Sequence, residues 1–234
     1  MLISKSIRAL WPDKLISEAL FARHWDTVRP RFLGLMREHQ IPNTKATELA
    51  IIYIPLAAWL MERYRKGETL VLGVNGAQGS GKSTLCDFLG PDIIILEGGC
   101  VGSTPERDAA LLVPMNELER NEDPYGHWRR YANEALKGPY AELFRQLDCL
   151  IMLKVPDLES VLEWRSLQEK KLLDSTPEGA GIHIMDDAAI RRFVMHWERI
   201  TRHNLEEMPK RADLTLGLDK SHRIAEVSLK PTEA

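Results

Sequence analysis

Gly76, Gly81, Lys82 and Ser83 stand at the fixed positions of the pattern G-x-x-x-x-G-K-[ST], filled here by Gly76-Ala77-Gln78-Gly79-Ser80-Gly81-Lys82-Ser83. Glycines at this spacing let the backbone curl until its N–H groups face inward, which makes a nest for phosphate oxygens. Lys82 is long enough to reach the β- and γ-phosphates, and the Ser83 hydroxyl can ligate Mg²⁺. Residues 69–75 read as a buried strand, and residues 83–89 continue as a helix that opens on Ser83 and Thr84. That order sets a helix N-terminus, with its partial positive charge, beneath the phosphates. Nucleotide contacts are therefore expected from Gly76, Ala77, Gln78, Gly79, Ser80, Gly81, Lys82, Ser83 and Thr84, with Ser83 also a metal ligand.

A phosphate loop binds nucleotide, and hydrolysis or transfer needs further parts. One is a carboxylate at the end of a neighbouring strand. Glu97 follows four apolar residues, Ile93-Ile94-Ile95-Leu96, and so falls at the carboxyl end of its strand, where α/β folds gather ligands. A charge there can also be a plain strand terminus; Gly98 and Gly99, which leave room for close approach, favour the functional reading and a second metal contact. Another part is a cation over the moving phosphoryl group, for which Arg165 and Arg129 are the candidates, each also readable as an ordinary surface arginine. Arg165 lies in Trp164-Arg165-Ser166-Leu167-Gln168-Glu169, on a helix after the third strand, where small-molecule kinases often carry a mobile lid. The guanine-reading Asn-Lys-x-Asp signature is missing, since no Asn-Lys pair occurs in the chain, and ATP is the expected nucleotide.

Elements able to hold these residues are legible around them. Residues 1–68 read as a helical extension, and 69–234 as the nucleotide-binding domain. In the extension Asp13 can cap a helix presenting Ile16, Ala19 and Leu20, a second helical stretch follows Pro30, and Thr44 or Thr47 can cap a third. Pro55 is expected to kink that third helix, and Arg63, Arg65, Lys66 and Gly67 to close it. The extension is expected to pack against the nucleotide domain in a structural role. Short apolar runs at 92–97, 149–155 and 212–218 join 69–75 as strands separated by helices, the pattern of a parallel sheet covered on both faces. Residues 223–228 are expected to pair antiparallel with the last of these across a turn at 219–222. Asp157 caps one later helix, with Leu158, Val161, Leu162 and Leu172 on a face. Another begins near Asp186 and is expected to bury Ile190, Phe193, Val194, Trp197 and Leu205, leaving Arg191, Arg192, Arg199 and Arg202 mainly on a solvated side.

Bulk properties narrow the function classes. A chain of 234 residues with formal net charge −3 and pI near 6.2 lacks the basic field that nucleic acid or an anionic membrane requires, so the expected partner is a small-molecule substrate. Cys86, Cys100 and Cys149 are odd in number and lack metal-ligand spacing, which fits reduced thiols in a cytoplasmic protein. Residues 1–20 carry no apolar signal core, and the most apolar window, 50–60, is too short to span a bilayer. Oligomeric state has no signal in the sequence.

With these residues laid out, the chain resembles the D-glycerate 3-kinase-like group of P-loop kinases, relatives of phosphoribulokinase, uridine kinase and pantothenate kinase. The likeness is carried by Tyr53-Ile54-Pro55-Leu56-Ala57, by residues 75–85 and by Ile95-Leu96-Glu97-Gly98-Gly99-Cys100-Val101-Gly102. It continues in Pro114-Met115-Asn116-Glu117-Leu118-Glu119, in 164–169 and in 193–202. It implies an α/β, P-loop NTPase-type three-layer fold with a mostly parallel sheet and an N-terminal helical extension. It also implies ATP- and Mg²⁺-dependent phosphorylation of a hydroxyl on a small acid, typically glycerate, with Lys82, Glu97 and Arg165 in catalytic roles. Such kinases usually place a strand ending in an Asp-Asp-Phe-Tyr-like motif between the phosphate-loop helix and the Leu-Glu-Gly strand. Here eight residues separate Ser83 from Asp92, enough for a bare strand–helix–strand crossover. The segment expected to carry the catalytic aspartate is absent, and Asp87, a turn inside the helix, is no substitute. Two other readings stay open: a nucleotide-binding protein with degenerate or no phosphotransfer, and a uridine- or pantothenate-type kinase.

Overall fold

Four short apolar runs become the parallel strands of one sheet. In the computed structural model, which describes residues 10–11, 18–65, 67–89, 93–175 and 184–230, these are β1 (Val71–Gly76), β2 (Ile94–Gly98), β3 (Cys149–Lys154) and β4 (Leu214–Leu218). The order across the sheet is β2-β1-β3-β4-β5, with β5 (Ile224–Leu229) antiparallel to β4 at the far edge. Aspartates mark where two strands start: the Asp148 carboxylate accepts from the Val71 N–H at 2.8 Å, and Asp213 accepts from the Leu150 N–H at 2.8 Å. The expected elements at Asp13, Ile16, Lys66 and Asp92 lie outside the described residues.

Register gives the sheet two distinct faces. Leu72, Val74, Ile151, Leu153, Leu214 and Leu216 share one, buried in the main core beneath the N-terminal helices. Gly73, Asn75, Leu150 and Met152 share the other, where Met208, Ala212 and Leu205 cover Leu150 and Met152. Both faces are therefore sealed by helices, as continuous apolar strands require.

The extension supplies α1 (Glu18–Glu38) and α2 (Ala46–Met61). Pro30 does not divide α1; it sits inside a single helix. Phe32 and Met36, both buried beyond it, hold the helix together, and Phe32 stacks edge-on against Trp25 and Phe88 at 5.3 and 4.8 Å. Neither Thr44 nor Thr47 caps α2: a 3-10 turn at Asn43–Lys45 leads straight into it, and Lys45 occupies the cap position without a side-chain bond. The helix runs through Pro55 and buries Ile51, Ile52, Ile54, Leu56, Trp59 and Leu60, so it is apolar around most of its circumference. The crossover helix α3 (Lys82–Leu89) is clamped from this side by Tyr53 and Phe32 on Phe88, and by His39 Nε2 on Asp87 at 2.9 Å.

Helix α3 spans about 12 Å at 1.5 Å per residue and delivers the chain directly to β2, the outer strand beside β1. Ile94 on that edge is 57% exposed. Between β2 and β3 lie α4 (Glu117–Glu122), α5 (His127–Lys137) and α6 (Pro139–Phe144); between β3 and β4 lie α7 (Leu158–Ser175) and α8 (Asp187–Glu207). Asp157 and Asp186 do mark the last two helix starts, accepting from the Ser160 and Ala189 N–H groups at 2.7 and 2.8 Å. Two positions expected on apolar helix faces are at the surface. Leu172 is exposed on α7, and Trp197 stands at the rim of a cleft on α8. Among the described residues no helix is long and apolar enough to cross a membrane.

Candidate functional site

The loop joining β1 to α3 is shaped by glycines at two kinds of position. Gly79 and Gly81 hold φ of 77° and 91°, the left-handed region that side chains with a Cβ rarely adopt. Gly76 instead permits a close approach, because a Cβ there would lie 2.5 Å from Ser80 Oγ and 3.1 Å from Leu153 Cβ. The loop closes on itself through Ser80 N–H to Ala77 O at 3.2 Å, and α3 begins with Leu85 N–H to Gly81 O at 3.0 Å. A helix start of this kind leaves unpaired N–H groups facing the loop's hollow.

Lys82, Ser83 and Glu97 converge there. Parallel register sets Glu97 beside Val74, two residues before the loop, and brings its Oε1 to 3.0 Å from the Ser83 hydroxyl. Lys82 Nζ donates to Ala77 O at 3.1 Å. Burial lowers the Lys82 pKa below the ordinary lysine value, opposed by the nearby Glu97 and Cys86. Among the described residues, four buried side-chain atoms have no hydrogen-bond partner, and two of them, Gln78 Oε1 and Ser80 Oγ, belong to this loop. Buried polar atoms are nearly always paired, and of these two only the Ser80 hydroxyl can donate to an anion, since Gln78 Oε1 is an acceptor. A hydroxyl and a carboxylate in contact are also a donor set suited to Mg²⁺, which keeps several waters and takes only one or two protein oxygens besides substrate phosphates. Among the described residues no group of three or more His, Cys, Asp or Glu forms a metal cage.

The two candidate arginines end up elsewhere. Arg165 approaches the loop through its main chain: its N would lie 3.5 Å from a Cβ at Gly79. Its guanidinium is taken by Glu169 on the same helix and lies 5.4 Å from the Phe193 ring. Arg129 is a buried structural cation, donating to Leu111 O at 2.7 Å and to Asp123. Two of the spare donors of α5's first turn, the Trp128 and Arg129 N–H groups, go to the same Asp123 carboxylate.

Sequence reasoning missed the walls on either side of the loop. On one side is a cavity of about 370 Å³ lined by Gly79, Ser80, Gly81 and Thr84 and closed by Ile41, Pro42, Trp164 and His222. His222, at φ 62°, stacks on Trp164 with centroids 4.2 Å apart and planes 22° apart. Nothing in the local sequence pairs these two residues, which come from α7 and the β4–β5 turn. On the sheet's other face Asn75 donates to Gly99 O and Val101 O at 3.2 and 2.8 Å, and Asn204 of α8 donates to Gly99 O at 3.1 Å. These amides fix the Gly98–Ser103 turn that follows Glu97; a polar residue facing inward from a strand was the available signal for Asn75.

A kinase shares this architecture. The D-glycerate 3-kinase of Cryptococcus neoformans var. grubii superposes with a TM-score of 0.58 over 76% of this chain and 99% of its own, at 16% identity. The YGR205w protein matches over 77% of this chain and 95% of its own at 15% identity, with a TM-score of 0.48 that is too loose to argue from. The sequence matches no protein-family model and no curated protein. The likeness is one of fold: an α/β kinase-type architecture, with five mostly parallel strands between helical layers.

Proposed function

We propose that this protein is an ATP- and Mg²⁺-dependent kinase that transfers a γ-phosphoryl group to a hydroxyl of a small molecule, with glycerate the acceptor that its sequence resemblance names. The observation that carries the reading is the Ser83–Glu97 contact at the mouth of a loop backed by Lys82. The printed name of the Cryptococcus neoformans structure supports the choice of glycerate as the first acceptor to test.

Catalysis on this reading is positioning plus charge stabilisation. The loop N–H groups other than that of Ser80, which Ala77 O takes, hold the phosphate chain together with the N-terminus of α3. Lys82 exchanges its bond to Ala77 O for β- and γ-phosphate oxygens. Ser83 and Glu97 would hold Mg²⁺, and the ion would supply charge neutralisation on the transferring group. Thr84, Trp164 and His222 border the adjoining cavity, which is roomy enough for the base of the nucleotide. Arg165 contributes to the phosphates once it leaves Glu169. The reading sets the protein in the cytoplasm, where three unpaired thiols stay reduced.

A second reading, nucleotide binding without transfer, is favoured by one specific feature: among the described residues β2, the Glu97 strand, is the edge of the sheet and follows α3 with no strand between them. Coupled ADP release measured with glycerate, uridine and pantothenate, alongside ATP titration, separates the two. Turnover with any acceptor supports the kinase; ATP binding with no turnover on any of them supports the binding protein.

A further inference from the structure

Among the described residues, two that are not glycine hold a positive φ: Gln40 at 54° and His222 at 62°. They come from opposite ends of the chain, yet both line the cavity of about 370 Å³ beside the phosphate loop. Backbone held in a sparsely populated region costs free energy and collects at ligand sites. We infer that Gln40 reads the adenine base of the nucleotide in this cavity, which makes the N-terminal extension part of the binding site as well as a packing layer. The inference rests on the nucleotide-binding reading above and deepens it.

The turn that carries Gln40 is firmly placed. Helix α1 ends in a Schellman motif, in which the Ile41 N–H donates to Met36 O at 2.7 Å and the Gln40 N–H to Arg37 O at 3.0 Å. Glycine, or sometimes asparagine, is the usual residue at the left-handed position of that motif. Glutamine bears the conformational cost without the short local hydrogen bond that lets asparagine offset it. His39, one residue earlier, meets Asp87 of α3 at 2.9 Å and so pins the turn to the helix that begins at the phosphate loop. Gly79, Ser80, Gly81 and Thr84 line the same cavity, so its contact with the phosphate loop is direct.

Lining chemistry suits a flat ring with a polar edge. Ile41 and Leu49 of the extension, with Leu85, Leu153 and Leu218, give the cavity an apolar lining. Trp164 and His222, stacked with planes 22° apart, add aromatic surface. Most polar side chains at hand are charged or engaged. Arg223 pairs with Asp219 at 3.0 Å, and Gln168 Oε1 accepts from Arg165 at 3.5 Å. Lys45 and Lys171 are cations near enough to His222 to oppose its protonation, and Glu48 is an anion. The Gln40 residue is exposed, and among the described residues its carboxamide bonds to no protein group. An amide sets a donor and an acceptor side by side, the complement of the adenine edge that offers a 6-amino group next to N7. Guanine places two acceptors, O6 and N7, on that edge and does not match.

The test uses the full chain, Mg²⁺ and three probes: ATP, purine riboside 5′-triphosphate, which lacks the 6-amino group, and tripolyphosphate, which lacks the nucleoside. Affinities are read by calorimetric titration and folding by thermal melting. Gln40→Gly removes the amide and relieves the left-handed backbone, so a purely structural role for Gln40 would leave ligand affinity intact. The expected result is that the unaltered chain prefers ATP to purine riboside triphosphate by about tenfold. Gln40→Gly should bind the two alike, about tenfold more weakly than the unaltered chain binds ATP. Its tripolyphosphate affinity should stay within about twofold, and its melting temperature should hold or rise. The inference is overturned if the variant keeps the preference for ATP, if the unaltered chain shows none, or if all three affinities fall together. An unaltered chain that binds none of the three probes removes the nucleotide-binding reading, and the inference with it. Tripolyphosphate binding with equal affinity for the two nucleotides removes the inference alone.

Discussion

The Ser83 hydroxyl donates to the Glu97 carboxylate at 3.0 Å, tying the first turn of α3 to the carboxyl end of β2. Strand register alone makes this contact, because pairing Val74 with Glu97 leaves the carboxylate beside the strand that carries the loop. Both groups are exposed, so their bond adds little stability and is free to be exchanged for a metal. Glu97→Gln is therefore expected to cut phosphoryl transfer by about 10²-fold, the scale of losing one group that orients reactants or stabilises charge. ATP affinity measured in EDTA should stay within about threefold. Wild-type turnover in this variant would remove Glu97 from the mechanism.

Lys82 is the cation nearest the loop's carbonyls, and burial lowers its pKa while Glu97 pulls the other way. A partly desolvated ammonium bonded only to a neutral carbonyl has much to gain from a phosphate. Charged hydrogen bonds are worth about 1.5–3 kcal/mol, so Lys82→Ala should weaken ATP binding by about 10- to 10²-fold in calorimetric titration. Lys82→Arg should not restore it, since a planar fork cannot replace a point charge in so close a space. Unchanged ATP affinity in the alanine variant would argue against a phosphate site here.

Much of this architecture was legible because it is local. A run such as Cys149-Leu150-Ile151-Met152-Leu153 is apolar at every position, and only a strand covered on both faces tolerates that. The loop and Glu97 were readable for the same reason, as each depends on a spacing of a few residues. Helix starts were readable where an aspartate bonds three residues ahead, as at Asp157 and Asp186, but not at Thr44 and Thr47, where a tight turn before α2 replaces the cap. What stayed hidden depends on packing between distant segments. Arg199 belongs to a periodic charged face and reads as solvated, yet it meets Glu119 across 80 positions of chain. Trp164 and His222 meet only because α7 and the β4–β5 turn converge on the loop.

Arg199 also gives a stability prediction. The side chains of Arg199, Glu106 and Glu119 are mostly buried, at 12%, 15% and 13% exposure. Burial alone would raise the Glu119 pKa, but the hydrogen bonds from Arg199 and the Met115 N–H hold it below the ordinary glutamate value. Removing the cation strands two carboxylates, so Arg199→Ala should lower unfolding free energy by about 3 kcal/mol in urea titration. The sign of the pH effect follows. Glu119, with its folded pKa depressed, contributes stability above the unfolded pKa and loses it as pH falls through the folded value. Acid unfolding of the variant should accordingly be less steep between about pH 5 and 3. A loss under about 0.5 kcal/mol would show that the network is solvated rather than structural.

His222 gives the last prediction. Trp164 covers one face of its ring while the residue as a whole still meets solvent, and this partial loss of water lowers its pKa, opposed by a hydrogen bond with the Ser80 main chain. The folded chain therefore releases this proton at a lower pH than the unfolded chain, whose histidine titrates near about 6.5. In the window just below that value the unfolded state binds more protons, so stability is complete above it and declines as pH falls toward the folded pKa. Protonation in the same window sets a cation beside the phosphate loop, where Nε2 would lie 3.8 Å from a Cβ at Gly81, so ATP affinity should rise as stability falls. NMR titration of the ring should give a midpoint below about 6.5. His222→Asn, which tolerates the left-handed backbone, should flatten the pH dependence of both stability and ATP affinity between about pH 7.5 and 5.5. A midpoint above the ordinary value would mean that Ser80 outweighs the stacked tryptophan, and the ring would then carry its charge into the phosphate site.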